Sequence, residues 1–176
     1  MDLDAINVKL TRAMMLSIGD GSTHTLMGDS LRSHRWHEHY PDLIGPLADG
    51  QYTAVITNPP FGKDLKFKAA DARAAGFSIA NAAAMKGPHD FAGLEIGLIF
   101  LERAHKLLRV GGRVGIVLPE TYFFSHRYRW LHDWLEGRLE LRGVLHIPME
   151  AFQEFCRAKT NFYIFEKVGE GRPEEE

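Results

Sequence analysis

The chain has 176 residues, 45% of them hydrophobic, and its 21 Lys and Arg against 23 Asp and Glu leave a formal net charge of −2. This length suits one domain with a real core, and the near-balanced charge excludes a global basic field, so any nucleic-acid partner must be held by local patches or by another subunit. One cysteine, Cys156, excludes an internal disulfide and a Cys-based zinc site.

In chain order, residues 3–18 carry Leu3, Ile6, Leu10, Met14 and Ile18 at helical spacing, which predicts a helix ending at Gly19. T-H-T-L-M-G-D-S-L (23–31) reads as a short strand running into a turn at Gly28-Asp29-Ser30. After a polar loop rich in His and Pro, Tyr52 to Thr57 forms a nearly continuous apolar run, the pattern of a strand buried on both faces. Residues 62–90 are rich in Ala, Lys and Gly with weak periodicity and read as a long loop with one helical turn. Residues 91–110 predict a helix closed by Gly111-Gly112, and 113–119 a buried strand that halts at Pro119. A helix over 125–136 follows, with Trp130 and Trp134 four apart on one face; strands are then expected over 139–148 and 160–167. The tail, 169–176, is expected to be disordered, so the domain spans 1–168. No apolar run approaches the roughly 20 residues of a membrane helix, and the N-terminus lacks the basic start and apolar core of a secretory signal, so no membrane association and a cytoplasmic location are expected.

Alternating helices and strands point to a three-layer α/β sheet, mostly parallel, in which the last two strands, lacking a helix between them, pair antiparallel. In such sheets ligands sit beyond the carboxyl ends of the strands. Three ends here carry unusual residues: Gly28-Asp29-Ser30, Asn58-Pro59-Pro60-Phe61 and Pro119-Glu120.

The second of these has specific chemistry. Two successive prolines stiffen a strand end and push Asn58 into extended geometry. Its side-chain oxygen and the Pro59 carbonyl are then two fixed acceptors with no proline N–H to compete, an arrangement suited to an amino group with two hydrogens. Holding both hydrogens localises the nitrogen lone pair and aims it. Phe61 offers a flat face for a planar base or amide. The plain alternative is a turn, since Asn-Pro starts turns often. The chemical reading requires the Asn58 amide to face an open cleft and not a packed interior.

Asn58-Pro59-Pro60-Phe61-Gly62 resembles the catalytic motif of amino-group methyltransferases acting on adenine N6 in DNA, and its Phe-Gly form resembles the modification subunits of type I restriction-modification systems. M-G-D-S-L ahead of it, E-I-G-L-I-F-L-E-R-A-H-K-L-L-R-V-G-G-R-V-G-I-V-L-P after it, and A-F-Q-E-F-C-R-A-K-T-N-F-Y-I-F-E-K near the end agree in order. The resemblance implies a Rossmann-like methyltransferase fold using S-adenosylmethionine. It also implies that Asn58 and the Pro59 carbonyl grip a flipped-out adenine, with Pro60 completing the turn and Phe61 stacking on the base. Asp29, with Ser30 and Leu31 beside it, would meet the adenine end of the cofactor; Phe152 or Phe155 would sandwich the target base. No catalytic role falls to Glu120. The implied partners are DNA, a specificity subunit and a restriction subunit. Protein-glutamine relatives usually carry Tyr where Phe61 stands, which favours DNA; methylation of protein glutamine or of an RNA base, and an inactive accessory half, are the alternatives.

One departure stands out. The family carries an upstream strand, a glycine-rich turn for the cofactor's methionine part and an acidic residue for its ribose. Neither G-D-G-S (19–22) nor V-G-G-R-V-G (110–115) meets the requirement, and Asp2 or Asp4 is the nearest counterpart of the acid. Lack of this first βαβ unit, whose strand lies beside the Asn-Pro-Pro strand, predicts uncovered apolar surface on 52–57 and on the first helix unless another chain covers it. The chain is therefore expected to be the C-terminal part of a larger catalytic domain, with a separate chain among the candidates for supplying the rest.

Two clusters remain. His34, His37 and His39, with His24 nearby, lack a second ligand group at zinc-like spacing, and no metal is expected. Arg127, Arg129, Arg138 and Arg142 with Tyr128 form either a phosphate-contacting patch or a solvated face; Lys63, Lys66, Lys68 and Arg73 follow the catalytic turn and carry the same question.

Overall fold

The structure, a computed structural model, describes residues 1–20, 25–41, 47–60, 65–86, 93–152 and 159–171. Phe61, Phe155 and Cys156 lie outside the described residues. The chain divides into two compact units, Met1–Ala48 and Asp49–Glu176.

In the first unit, helix α1 (Ala5–Ser17) starts where the Asp4 carboxylate accepts from the Ile6 N–H at 2.7 Å, an N-cap that satisfies one orphan donor. Asp2 in turn accepts from the Asp4 N–H at 2.8 Å, so both acids serve the helix start. Only Val8 of α1 is buried. The apolar stripe Leu3, Ile6, Leu10, Met14 and Ile18 is 58–67% exposed, the uncovered surface anticipated from the sequence. The strand expected over 23–31 is reduced, among described residues, to a single parallel bridge between Met27 and Asp2: a strand needs a neighbour along its length, and the described residues here supply one rung. Helix α2 (Trp36–His39) buries Trp36, whose indole N–H donates to the Asp29 carbonyl at 2.7 Å.

The second unit is built on a sheet of order β1-β4-β6-β5, with β1 at Tyr52–Thr57, β4 at Leu108–Pro119, β5 at Leu139–His146 and β6 at Thr160–Lys167. β1 and β4 are parallel, and β6 runs antiparallel to both β4 and β5. Hence β1, β4 and β5 share one direction and the last strand opposes them. Val114, Ile116 and Leu118 of β4 share a face with Tyr163 and Phe165 of β6, all buried. Helix α5 (Ile96–Leu107) lies on this face, with Gly97 close enough to Leu118 that an added Cβ would sit 3.1 Å from its methyl group. The reading of β1 as buried on both faces is corrected: it is an edge strand with Ile56 81% exposed, because pairing on its β4 side leaves the other side without a strand among the described residues.

The stretch read as a loop over 62–90 is largely folded. β2 (Lys66–Lys68) pairs antiparallel with β3 (Gly93–Glu95), and helices α3 (Ala69–Ala74) and α4 (Ser78–Lys86) follow β2. Phe67, Ala72, Phe77, Ile79, Ala80 and Ala83 are buried there. Alanine buries little area per residue, so a face made mostly of Ala gives almost no periodic signal. The Ser78 N–H, the Ser78 hydroxyl and the Ile79 N–H donate to the Glu102 carboxylate of α5 at 2.9, 3.0 and 2.8 Å, and the Trp134 indole donates to the Ser78 oxygen at 3.1 Å. A buried carboxylate about two turns into one helix thus caps the start of another.

Gly111-Gly112 was expected to close α5; the helix instead ends at Leu107, and both glycines lie within β4. Gly111 adopts φ +80°, and a Cβ at Gly112 would sit 2.9 Å from the Arg109 and Tyr52 carbonyl oxygens. Because both obstacles are backbone, Gly112→Ala is expected to destabilise the protein by about 1–3 kcal/mol, read as a lower urea midpoint at unchanged slope. The helix expected over 125–136 is a 3-10 turn (His126–Tyr128) running into α7 (Arg129–Leu135), preceded by the short α6 (Thr121–Phe124), with Trp130 and Trp134 buried as their spacing suggested. Of the tail, residues up to 171 are described: the Val168 N–H donates to the Arg138 carbonyl, the Gly171 N–H to the Gly137 carbonyl, and Glu170 pairs with the buried Lys167 amine at 2.7 Å. No described helix is long and apolar enough to cross a membrane.

Candidate active site

The parallel register of β1 and β4, ending at Thr57 opposite Ile116, puts both carboxyl ends on the same edge of the sheet. β5 ends there too, at His146 opposite Asn161, while β6 begins there, with Thr160 opposite Pro119. Asn58-Pro59-Pro60, Pro119-Glu120, His146 and Lys159-Thr160-Asn161 therefore gather on one edge, as expected of a ligand-binding rim in an α/β sheet.

Asn58 is exposed, Pro59 buried and Pro60 exposed. A buried ring anchors the turn and its neighbour is presented outward; among the described residues, no group is bonded to the Asn58 amide. Its two polar atoms are thus open to a ligand. The packed-interior arrangement that would have removed the chemistry is not found.

On the same edge stand groups to which the sequence assigned no role. Lys159 and Glu120 form an ion pair at 2.9 Å, reinforced by the Glu120 N–H donating to the Lys159 carbonyl at 2.9 Å, so Glu120 pins the start of β6. Asn161, only 6% exposed, donates from its amide nitrogen to the Tyr163 hydroxyl at 3.3 Å, and its oxygen lies 3.1 Å from His146 Nδ1. Burial pushes the Tyr163 hydroxyl's pKa up, which keeps it neutral in this chain of bonds. The signal available in the sequence was the strand pairing itself: polar residues at the start of the last strand fall opposite the end of the preceding one.

The Asp29 carboxylate accepts from the Leu31 and Arg32 N–H groups at 2.9 and 3.3 Å and pairs with the Arg32 guanidinium at 2.7 Å. It therefore closes its own turn, with Leu31 buried and Ser30 half-buried. These bonds hold the carboxylate in place as an acceptor. Asp4 and Asp2 are committed to the start of α1, which removes them as ribose ligands in this arrangement. Phe152 ends a short 3-10 helix, Met149–Phe152, and is half-buried. Among the described residues no group of three His, Cys, Asp or Glu side chains is placed to hold a metal ion.

The four-arginine patch does not form as one surface. Arg138 donates to the Trp134 carbonyl and lies over its ring, and Arg142 bonds Glu140 and Glu166. Tyr128 is buried, donating to Glu95 at 2.8 Å, and burial with that partner holds its pKa well above the phenol range. Arg127 sits 3.5 Å from Glu95 and over the Tyr128 ring. Lys66, Lys68 and Arg73 are exposed on β2 and α3; Lys63 lies outside the described residues.

Among solved structures, the EcoKI M protein of a type I restriction enzyme is similar over 94% of this chain and 30% of its own, at TM-score 0.55 and 19% identity. A modification subunit assigned to a type I restriction enzyme of Vibrio vulnificus YJ016 is similar over 99% of this chain and 35% of its own, at TM-score 0.59 and 17% identity. A type I restriction-modification assembly chain gives 89% and 27%, at TM-score 0.55 and 23% identity. At these identities the likeness establishes the fold, a Rossmann-like methyltransferase fold, and the chain spans about a third of the length of the proteins it matches. A comparison with curated protein sequences gives no match. The model of the Eco57I restriction-modification methylases matches residues 6–151, most of the chain, and the chain belongs to that family.

Proposed function

We propose that this chain carries the amine-gripping part of a DNA adenine-N6 methyltransferase of a restriction-modification system. The observation that carries the reading is the Asn58 amide, presented outward at the end of β1 by the buried Pro59 and bonded to no described residue. In the reaction, S-adenosylmethionine supplies an electrophilic methyl group. The Asn58 side-chain oxygen and the Pro59 carbonyl accept the two N–H bonds of the adenine amine, localising its lone pair and orienting it for in-line attack. Extrusion of the adenine from the duplex is required, since neither acceptor reaches a stacked base. Phe61 stacks on that base, and Phe152 or Phe155 covers its other side. Asp29, with Ser30 and Leu31, receives the adenine end of the cofactor. The chain works in the cytoplasm, its residues 1–168 forming part of a larger catalytic domain, with a specificity subunit, a restriction subunit and a polypeptide completing the cofactor site as partners. The exposed stripe on α1 and the open edge of β1 support such a completing polypeptide.

Labelled S-adenosylmethionine supplied to the chain and its completing polypeptide, with duplex DNA, RNA and protein offered together, tests the reading. Label recovered as N6-methyladenine in DNA is the expected result. Label in glutamine or in RNA would transfer the same chemistry to the second substrate class; no transfer to any substrate would leave an accessory half.

A further inference from the structure

Three aromatic residues stand in a row after Pro119-Glu120, and the structure treats them differently. Tyr122 is buried and Phe123 packs 4.4 Å from the Tyr163 ring, centroid to centroid, while Phe124 is 76% exposed. Burying a phenyl ring yields about 1.5–3 kcal/mol, so a ring left outside is available for a ligand. Phe124 does not stand alone. Together with exposed Ser125, His126 and Arg129 it borders an open recess of about 660 Å³, which Trp130, His132 and Asp133 also line. Arg127, with 54% of its side chain exposed, follows directly on His126 and is steadied by Glu95 and the Tyr128 ring.

The chemistry of the corner is one open aromatic face beside two guanidiniums and two imidazoles, with Asp133 as the acid of the recess. A ligand that offers both π-faces and closely spaced negative charge matches it, and a nucleic-acid strand does. Position narrows the choice. α6 begins at the carboxyl end of β4, on the sheet edge that presents Asn58. An adenine drawn out of a duplex toward Asn58 leaves its neighbours partly unstacked, which supplies bases for an exposed ring.

We infer that the α6–α7 corner is a DNA-contact surface for the strand flanking the extruded adenine, with Phe124 stacking on a base and Arg129 and Arg127 meeting phosphates. This rests on the adenine-methyltransferase reading. Arg138 and Arg142 take no part: Arg138 donates to the Trp134 carbonyl, and Arg142 lies on β5, paired with Glu166 of the neighbouring strand.

Binding of a fluorescein-labelled duplex of mixed sequence, followed by anisotropy over a salt series, tests it. Phe124→Ala is expected to weaken binding by about 5- to 100-fold at unchanged salt slope, and Arg129→Ala to lower the slope of log K against log salt by about 1. Arg142→Ala should bind as the parent does. Circular dichroism checks folding, and both target side chains are exposed, so the fold should be retained. Parental binding by both variants, no binding of the duplex by the parent, or loss of association with a protein subunit in place of DNA would each overturn the inference. Weakened binding in the variants, with no methyl transfer by the completed parent, would retain the surface and sink the methyltransferase reading; methylation in the parent that both variants leave untouched, binding included, would do the reverse.

Discussion

Asn58→Ala is expected to lower methyl transfer by about 10²-fold or more while leaving thermal stability and duplex binding unchanged. The side chain is exposed and bonded to no described group, so its removal leaves no cavity and no orphaned partner. What disappears is one of two acceptors that hold the amine, and with it the orientation of the lone pair. Asn58→Asp keeps an oxygen at the same place and should retain more activity than the alanine variant; Asn58→Gln, which moves the acceptor outward by one methylene, should resemble alanine. A fall in the apparent affinity for DNA with the catalytic rate intact would show that Asn58 merely binds, and would count against its role in activating the amine.

The largest stability effect is expected at Glu102. Its carboxylate, buried in the core, accepts from the Ser78 N–H, the Ser78 hydroxyl and the Ile79 N–H, and through Ser78 it is linked to Trp134. Glu102→Ala removes an acceptor shared by two backbone donors at the start of α4 and opens a hole beside them. A cost of about 3 kcal/mol follows from leaving those donors unsatisfied. Glu102→Gln keeps one acceptor oxygen and should cost about 1 kcal/mol. Burial raises the pKa of Glu102 above its ordinary 4.5, with the bonds from Ile79 and Ser78 and the nearby Lys106 partly opposing. The folded state therefore holds this proton more tightly than the unfolded chain. Its contribution is greatest below pH 4.5 and declines as pH rises from there through the raised value. Urea titrations of parent and Glu102→Gln across that window should show the decline in the parent alone; parallel curves would mean that Glu102 keeps its ordinary pKa.

His105 supplies the opposite slope. It is buried, with Nε2 2.8 Å from the Gly169 carbonyl, and burial lowers its pKa below 6.5. Its contribution is present above 6.5 and is lost as pH falls through the lowered value. The titratable side chains Glu102 and His105 of α5 thus tie α4 and the chain after β6 to one helix, each with its own pH dependence.

Much of this molecule was written in the residue order alone. The helix of α1, the strands β1, β4, β5 and β6, the antiparallel last strand and the end of β1 just before Asn58-Pro59-Pro60 all follow from local rules: apolar period, proline geometry, and a missing crossover helix. Even the bare stripe on α1 was foreseeable, because an amphipathic face that meets no apolar partner among the described residues stays exposed. Other features depended on which residues meet across long sequence separations. α3 and α4 were invisible because alanine-lined faces carry little contrast. The cap of α4 comes from Glu102, more than twenty residues away, and no local pattern could name it. That Asp29 closes its own turn on Leu31 and Arg32, and so is held in one orientation, is likewise visible only in the structure. In sequence the four arginines read as either a phosphate-contacting patch or a solvated face; strand pairing carried Arg142 to Glu166 and helix packing carried Arg138 to Trp134, while Phe124 was left outside. Local chemistry settles what each segment prefers to be, but charges and rings acquire their partners only when the sheet registers are set, since register decides which residues stand opposite one another.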